Sequence, residues 1–374
     1  MGGFSVLFRG DIMSERTVFT TGRGIPEMFC TLTSVPGAGF AAECEALYKK
    51  YVEMLADFSP VWLRLHLSDV TTQAETARKI FQSFAHCLIL VGQPPANGAR
   101  VALDAWHLAR KVMNANGKWH LENYDLHFFN TPELKSSGSF DQMHEEFVNV
   151  ENFLAADGGT LENNLHRTWI YCRDVDNNYA GLVKARREYF ETRGLTAKTH
   201  YIASTGIEGQ SEKVDRLVRM DSLALFRHER AQIQYLYALE NLSPTHFYGV
   251  TFERGTRIVY GDRSHYYISG TASIDKMGDI LYIGDVEKQT ERVLVNMEAL
   301  LSEREGKLSD LKQVIIYMRD SADYNIIKRV VESRMSPETG KIFVRGPVCR
   351  PGWLVEIEGI AVNASCNPEY KDFI

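Results

Sequence analysis

The chain is short of cysteine, of metal-ligand spacings, of long apolar runs and of positive charge. Its six cysteines (Cys30, Cys44, Cys87, Cys172, Cys349, Cys366) are scattered, and no C-x-x-C occurs. That argues against a disulfide framework or a thiolate zinc site and suits reduced thiols in a cytoplasmic protein. The 11 histidines show no H-x-H or H-E-x-x-H spacing, so no metal is expected. Runs such as Cys87-Leu-Ile-Leu-Val91 are far too short to cross a membrane. Phe4-Ser-Val-Leu-Phe8, followed by Arg9-Gly-Asp11, is too short for the apolar part of a signal peptide. Met13 reads as an alternative start, with residues 1–12 an upstream addition. A net charge of -6 and a pI near 6.0 leave no basic footprint for nucleic acid. No G-x-G-x-x-G or Walker pattern surrounds Ser204-Thr-Gly206, which reads instead as a close backbone approach to a ligand.

What the chain does have is repetition. Gln142, Asn149, Glu151, Leu154 and Leu161 recur at one constant offset as Gln289, Asn296, Glu298, Leu301 and Leu308. With the offset shortened by a residue, Ile170-Tyr-Cys-Arg-Asp174 returns as Ile316-Tyr-Met-Arg-Asp320. A fainter first copy runs through Trp62 and Ser68-Asp-Val70. Each copy ends in a strand-like segment: Val101-Ala-Leu-Asp104, Val218-Arg-Met-Asp221 and Val355-Glu-Ile-Glu358, with an acid in the fourth place of each. A repeat of roughly 120 residues is too long for a solenoid unit and fits a small domain. The expected boundaries are 14–113, 114–243 and 244–374, set by the turn-rich breaks Asn114–Gly117 and Asn241–Pro244.

Within each copy the expected order is strand, strand, helix, strand, helix, strand, strand. In the third, Tyr266–Ile274 and Ile280–Ile283 flank Lys276-Met-Gly278 as a hairpin. Thr290, Val293, Leu294, Met297, Leu300 and Leu301 form an apolar stripe that predicts a helix over 286–302. Val314–Met318 is a buried-type strand, and Ser321 is placed to cap a helix over 322–334. The matching helices are 140–155 and 178–193 in the second copy and 41–57 and 72–84 in the first.

This order, with Ser269-Gly270 in the first hairpin and Glu356-Ile-Glu-Gly-Ile-Ala-Val362 at the end, resembles the RidA/YjgF (endoribonuclease L-PSP-like) superfamily. The resemblance implies an α/β (α+β), chorismate mutase-like fold. Three fused copies would form a pseudo-trimeric barrel with helices outside and ligand clefts between neighbours. The closer resemblance is to the chorismatases, which hydrolyse chorismate. Arg167-Thr-Trp-Ile-Tyr171 is similar to their R-x-W-N-Y strand, and Ser204-Thr-Gly-Ile207 to their A-T-G-I loop. Ser269-Gly-Thr-Ala-Ser-Ile274 and Cys349-Arg-Pro-Gly-Trp-Leu-Val-Glu-Ile-Glu-Gly359 are similar to S-G-T-A-S-I and C-R-x-x-L-L-V-E-I-E-G. The family's tyrosine-rich stretch has two candidates here, Tyr248-Gly249 with Phe252–Gly255 and Tyr260–Ser264.

Glu356 and Glu358 occupy alternate positions of one strand and share a face. Glu358 has counterparts in Asp104 and Asp221, which favours a structural role. Glu356 stands where the other copies have Ala102 and Arg219, so it is the acid special to the third copy and the preferred catalytic group. A buried glutamate with a raised pKa suits protonation of an enol ether, although an ion pair with an arginine is an equally plain reading. The resemblance points to Glu356 as general acid and to Cys349 as the residue that steers the product. Substrate carboxylates call for guanidinium groups. The candidates are Arg167 and Arg254, with Arg186, Arg257, Arg263 and Arg350 behind them, and Gly206, Tyr260 and Glu358 complete the binding set. Tyr171 recurs as Tyr317, which favours packing. The resemblance implies a hydrolase that needs no cofactor and takes a small carboxylate. As a pseudo-trimer it would be a monomer or a weak homo-oligomer, without nucleic-acid or membrane partners. Two alternatives stay open: a non-catalytic carboxylate binder and an enamine or imine deaminase.

Overall fold

The computed structural model describes residues 12–109, 113–115, 117–131 and 133–374. The segment 1–11 and part of the turn at Asn114–Gly117 lie outside them. The chain alternates strands and helices throughout. The first stretch contains β1 (Met13–Phe19), β2 (Glu27–Thr33), α1 (Phe40–Leu55), β3 (Phe58–Leu67), α2 (Val70–Ile80), β4 (Leu88–Gly92) and β5 (Val101–Ala109). The second contains β6 (Met113–Ala115), β7 (Lys118–His120), β8 (Asp125–Asn130), α3 (Ser139–Ala155), the single turn α4 (Leu161–Asn164), β9 (Leu165–Cys172), α5 (Val175–Glu191), β10 (Ala203–Glu208) and β11 (Val218–Phe226). The third contains β12 (Ile233–Leu236), β13 (Gly255–Val259), β14 (Ser264–Ala272), α6 (Val286–Ser302), β15 (Leu311–Met318), α7 (Tyr324–Arg334), β16 (Gly340–Arg345) and β17 (Val355–Asn363).

These strands form three mixed sheets, ordered β1-β2-β5-β3-β4, β10-β9-β11-β8-β7-β6 and β12-β13-β14-β17-β15-β16. Each sheet has the same inner order: a hairpin, the last strand, the middle strand and a parallel edge strand. Among the described residues, the strand pairs that run parallel are the edge pairs β3–β4, β9–β10 and β15–β16, each joined through a crossover helix. The final strands are buried along nearly their whole length. In the ladders Asp104 faces Arg64, Asp221 faces Trp169 and Glu358 faces Ile315, so the three acids hold one position in their sheets.

Helix α6 covers 286–302, and its stripe of Thr290, Val293, Leu294, Met297, Leu300 and Leu301 is buried. Asp285 caps it by accepting from Lys288 N at 3.0 Å. Two expectations need correction. Ile280–Ile283 is not a strand: a single bridge, Ile274 to Ile280, closes that turn, and the actual hairpin partner of β14 is β13. Ser321 is not the cap of the seventh helix. Asp320 accepts from Ala322 N at 2.9 Å, and residues 321–323 form a 3₁₀ turn before α7 begins. The residue at the N-cap of α7 is Asp323, whose side chain makes no capping bond.

The sheets meet at their edges. Gly92 bridges to Gln210 between the first and second, Ala203 to Glu253 between the second and third, and Pro95 to Val344 between the first and third.

Candidate functional site

The junction between the second and third sheets is held by side chains rather than by a continuous ladder. In β14 the register with β17 slips between Ile268 and Thr271, a bulge over Ser269-Gly270. The freed groups reach across. Ser269 Oγ accepts from Ser204 N at 2.9 Å and donates to Glu253 O at 2.6 Å. Gly270 N donates to Thr205 Oγ1 at 2.9 Å. Helix α5 is set against β10 by Glu208, whose carboxylate accepts from Asp174 N and Val175 N at 3.0 and 2.6 Å.

Between α5 and β10 on one side, and β14, 248–254 and 349–356 on the other, lies a cleft of about 350 Å³. That is the size of small-molecule sites. Glu356 lies in it, against Gly270: a Cβ there would come within 2.1 Å of Glu356 Oε1, so any side chain at 270 would displace the carboxyl. Among the described residues none donates a hydrogen bond to the Glu356 carboxyl. Burial first, then the neighbouring Glu358, push its pKa up to about 8, against the pull of Arg254 and Arg167. At neutral pH it is a carboxylic acid holding a proton.

Three arginines surround it without a carboxylate partner among the described residues. Arg186, 2% exposed, reaches only Ser204 Oγ at 3.5 Å, and its Nε and Nη2 are unpaired. Arg254 donates to Ser243 O at 3.0 Å, keeps Nε unpaired and lies over Tyr248 and Phe252. Arg350 sits between the rings of Tyr248 and Trp353, 4.8 and 5.1 Å from their centroids. Buried, unpaired guanidinium groups are costly unless an anion completes them. Cys349 stays a thiol: burial, then the neighbouring Glu356, push its pKa up to about 12. Gly206 leaves room, since a Cβ there would meet the Tyr179 ring at 3.3 Å.

Of the residues singled out in the sequence, Glu356, Cys349, Gly206, Arg186, Arg254 and Arg350 therefore lie together in this cleft. Five others do not. Arg167 and Glu358 form an ion pair at 2.5 Å, with Trp169 Nε1 donating to Glu358 at 3.0 Å and Arg167 donating to Thr205 Oγ1 at 2.6 Å. They are 1% and 3% exposed and lie outside the lining of the cleft, with Arg167 Nη1 left without a partner. Arg263 is paired with Glu27 and Asp262 at 2.6 and 2.7 Å. Tyr260 is fully buried against Tyr124, His265 and Phe373. Both belong to a packed cluster elsewhere. Arg257 is likewise engaged, by Ser264 and Ser365.

The sequence reading missed Tyr179, Tyr248 as a wall residue and Trp353, and gave Arg186 only a secondary place. Nothing local marks Tyr179 and Arg186, which reach the cleft from an amphipathic helix. Trp353 was within the quoted third-copy signature. Among the described residues no helix is long and apolar enough to cross a membrane, and no group of His, Cys, Asp or Glu is placed to hold a metal ion.

The family profile for endoribonuclease L-PSP matches residues 258–363. The 3-aminoacrylate deaminase RutC of Acinetobacter baylyi is 32% identical over 96 residues, 25% of this chain and 76% of that protein. The 3-hydroxybenzoate synthase of Streptomyces hygroscopicus is 28% identical over 117 residues, 29% of this chain and 34% of that protein. A chorismatase crystal structure superposes with a TM-score of 0.64 at 20% identity, covering 94% of this chain and 99% of that one. The chorismatase fold is therefore shared along nearly the whole length, and the chain belongs to the endoribonuclease L-PSP (RidA/YjgF) superfamily.

Proposed function

We propose that the protein is a chorismatase-like hydrolase that cleaves the enolpyruvyl ether of chorismate or a related carboxylate. The observation that carries this reading is the protonated, unpartnered Glu356 in a cleft with three arginines that lack a carboxylate partner among the described residues, two of them, Arg186 and Arg254, with buried unpaired nitrogens. Glu356 gives its proton to the terminal methylene carbon of the enol ether, which leaves an oxocarbenium ion at the ether carbon. Water adds to that carbon and loses a proton to the Glu356 carboxylate. The resulting hemiketal breaks its bond to the ring oxygen, which takes up the hemiketal hydroxyl's proton, to release pyruvate and a dihydroxycyclohexadiene carboxylate; loss of one water from that ring gives a hydroxybenzoate. Arg186, Arg254 and Arg350 hold the two carboxylates. Cys349, as a neutral thiol beside Tyr179, borders the ring and bears on which co-product forms. The three sheets, on this reading, are three RidA-like repeats (14–113, 114–243, 244–374) closed as a pseudo-trimeric barrel.

The test is incubation with chorismate, with pyruvate read by coupled lactate dehydrogenase and the aromatic products resolved by chromatography. Pyruvate release lost in Glu356→Gln supports the hydrolase. Unchanged release in that variant rules out the mechanism. A second reading, an imine or enamine deaminase, draws on the likeness to the aminoacrylate deaminase. Semicarbazone trapping of amino-acid oxidase products distinguishes it.

A further inference from the structure

The cleft carries charge of one sign on a protein whose net charge has the other. Its lining holds five cationic side chains, Lys184, Arg186, Arg187, Arg254 and Arg350, and one acid, Glu356, which keeps its proton at neutral pH. The whole chain has a net charge of -6. The cations lie at different depths. Arg186 and Arg254 are 2% and 4% exposed, whereas the Lys184 side chain is 60% exposed and Arg187 is exposed as well.

Helix α5 sets this gradation. Lys184 and Arg187 stand three residues apart, and Ala180 and Val183 lie one turn before them. The four share a face of the helix, and all four line the cleft. Arg187 has no carboxylate partner among the described residues. Lys184 meets Glu188 at 3.9 Å, an exposed and loose pair that leaves its charge largely available. Buried guanidinium groups act on an anion by contact. Exposed cations at the mouth act at longer range, because a cleft of one sign with low-dielectric walls focuses its field and raises the arrival rate of counter-ions.

We propose that Lys184 and Arg187 form an entry guide that steers anionic substrates into the cleft and passes them to the buried arginines. The guide favours a dianion over its uncharged ester. Naming chorismate as that dianion rests on the function proposed above, whereas steering requires that the anion binds and not that it is cleaved.

The experiment is stopped-flow fluorescence with chorismate and the Glu356→Gln chain, in which turnover is blocked and Trp353 in the cleft wall reports arrival. Each variant's fold is checked by circular dichroism. The association rate should fall about tenfold between about 0.01 M and about 1 M ionic strength, as the screening length shrinks from about 30 Å to about 3 Å. Lys184→Gln with Arg187→Gln should lower the low-salt association rate about tenfold and flatten the salt slope, while dissociation changes less than about twofold. Lys184→Arg with Arg187→Lys keeps the charge and should restore both. The dimethyl ester of chorismate, which is uncharged, should bind at a rate that neither salt nor the paired variants alter. No binding of chorismate, a salt-independent rate, a loss carried by dissociation alone, or an equal loss for the ester would overturn the proposal. Salt-steered binding without pyruvate release by the parent chain would sink the hydrolase and uphold the guide.

Discussion

The junction of the second and third sheets differs from that of the first and second at the positions that leave room for a ligand. The ladders align Glu356 with Arg219, and Gly206 with Leu90. At the first junction Arg219 donates through Nη1 to the Leu90 carbonyl and pairs with Asp221 at 3.3 Å, so a long side chain fills the gap and is itself satisfied. At the second, glycine stands where Leu90 would be and a short acid where Arg219 would be, and a cleft of about 350 Å³ remains. Counting from Asp69 and Asp174, Phe81 corresponds to Arg186: one is fully buried in an apolar core, the other is a buried cation without a counter-ion. The third junction has Ala102 and Phe343 in the same two places. One architecture thus gives packing or a site according to a handful of side chains.

The largest expected effect comes from making the open junction resemble the closed ones. Glu356→Ala and Glu356→Arg copy the residues of the other two, and with Glu356→Gln they should each lower kcat about 100- to 10,000-fold. Steady-state pyruvate release checks this. The same proton fixes the pH profile: activity should fall as pH rises through about 8, where Glu356 ionises.

The acid at the shared position should behave differently. Asp104→Asn and Glu358→Gln each strand a buried arginine, Arg64 or Arg167, and each should cost about 3–5 kcal/mol in urea unfolding. If Glu358→Gln abolished activity at full stability, the division between structural and cleft acids would fail.

Stability against pH sharpens the contrast further. The folded pKa of Glu356 is raised from 4.5 to about 8, so its favourable contribution is complete below the unfolded pKa and is lost as pH rises to 8. Buried Glu146, raised to about 7 beside Arg216, titrates in the same window and is common to parent and variant. Glu356→Gln should therefore gain on the order of 2 kcal/mol over the parent between pH 5 and pH 8, read by denaturant titration. The smallest effect is expected at the closed junction, where Arg219→Ala should cost about 1 kcal/mol and leave turnover unchanged.

Periodicity made the elements legible because buried strands and amphipathic helices write their pattern locally: the span of α6 and the final strands of all three sheets can be read directly. The comparison of Glu356 with Ala102 and Arg219 isolated the cleft acid for the same reason, since one register runs through all three segments. The arginines were harder. Arg167 and Arg263 carry the same charge as Arg254, and only the distances to Glu358, Glu27 and Asp262 separate a guanidinium paired with a carboxylate from one without. The hairpin of β13 and β14 was misplaced because Gly278 marks a turn closed by a lone bridge, while Gly261-Asp-Arg263 carries the true reversal.

The bulge at Ser269-Gly270 has a further consequence. The backbone there is kept bare so that a carboxyl can lie against it, and its amide is spent on Thr205 from the neighbouring sheet. The acid's seat is therefore assembled from two distant stretches of chain. A protein caught before those stretches have met should hold Glu356 in water, as an ordinary ionised side chain, and should acquire its unusual proton only with the last long-range contact.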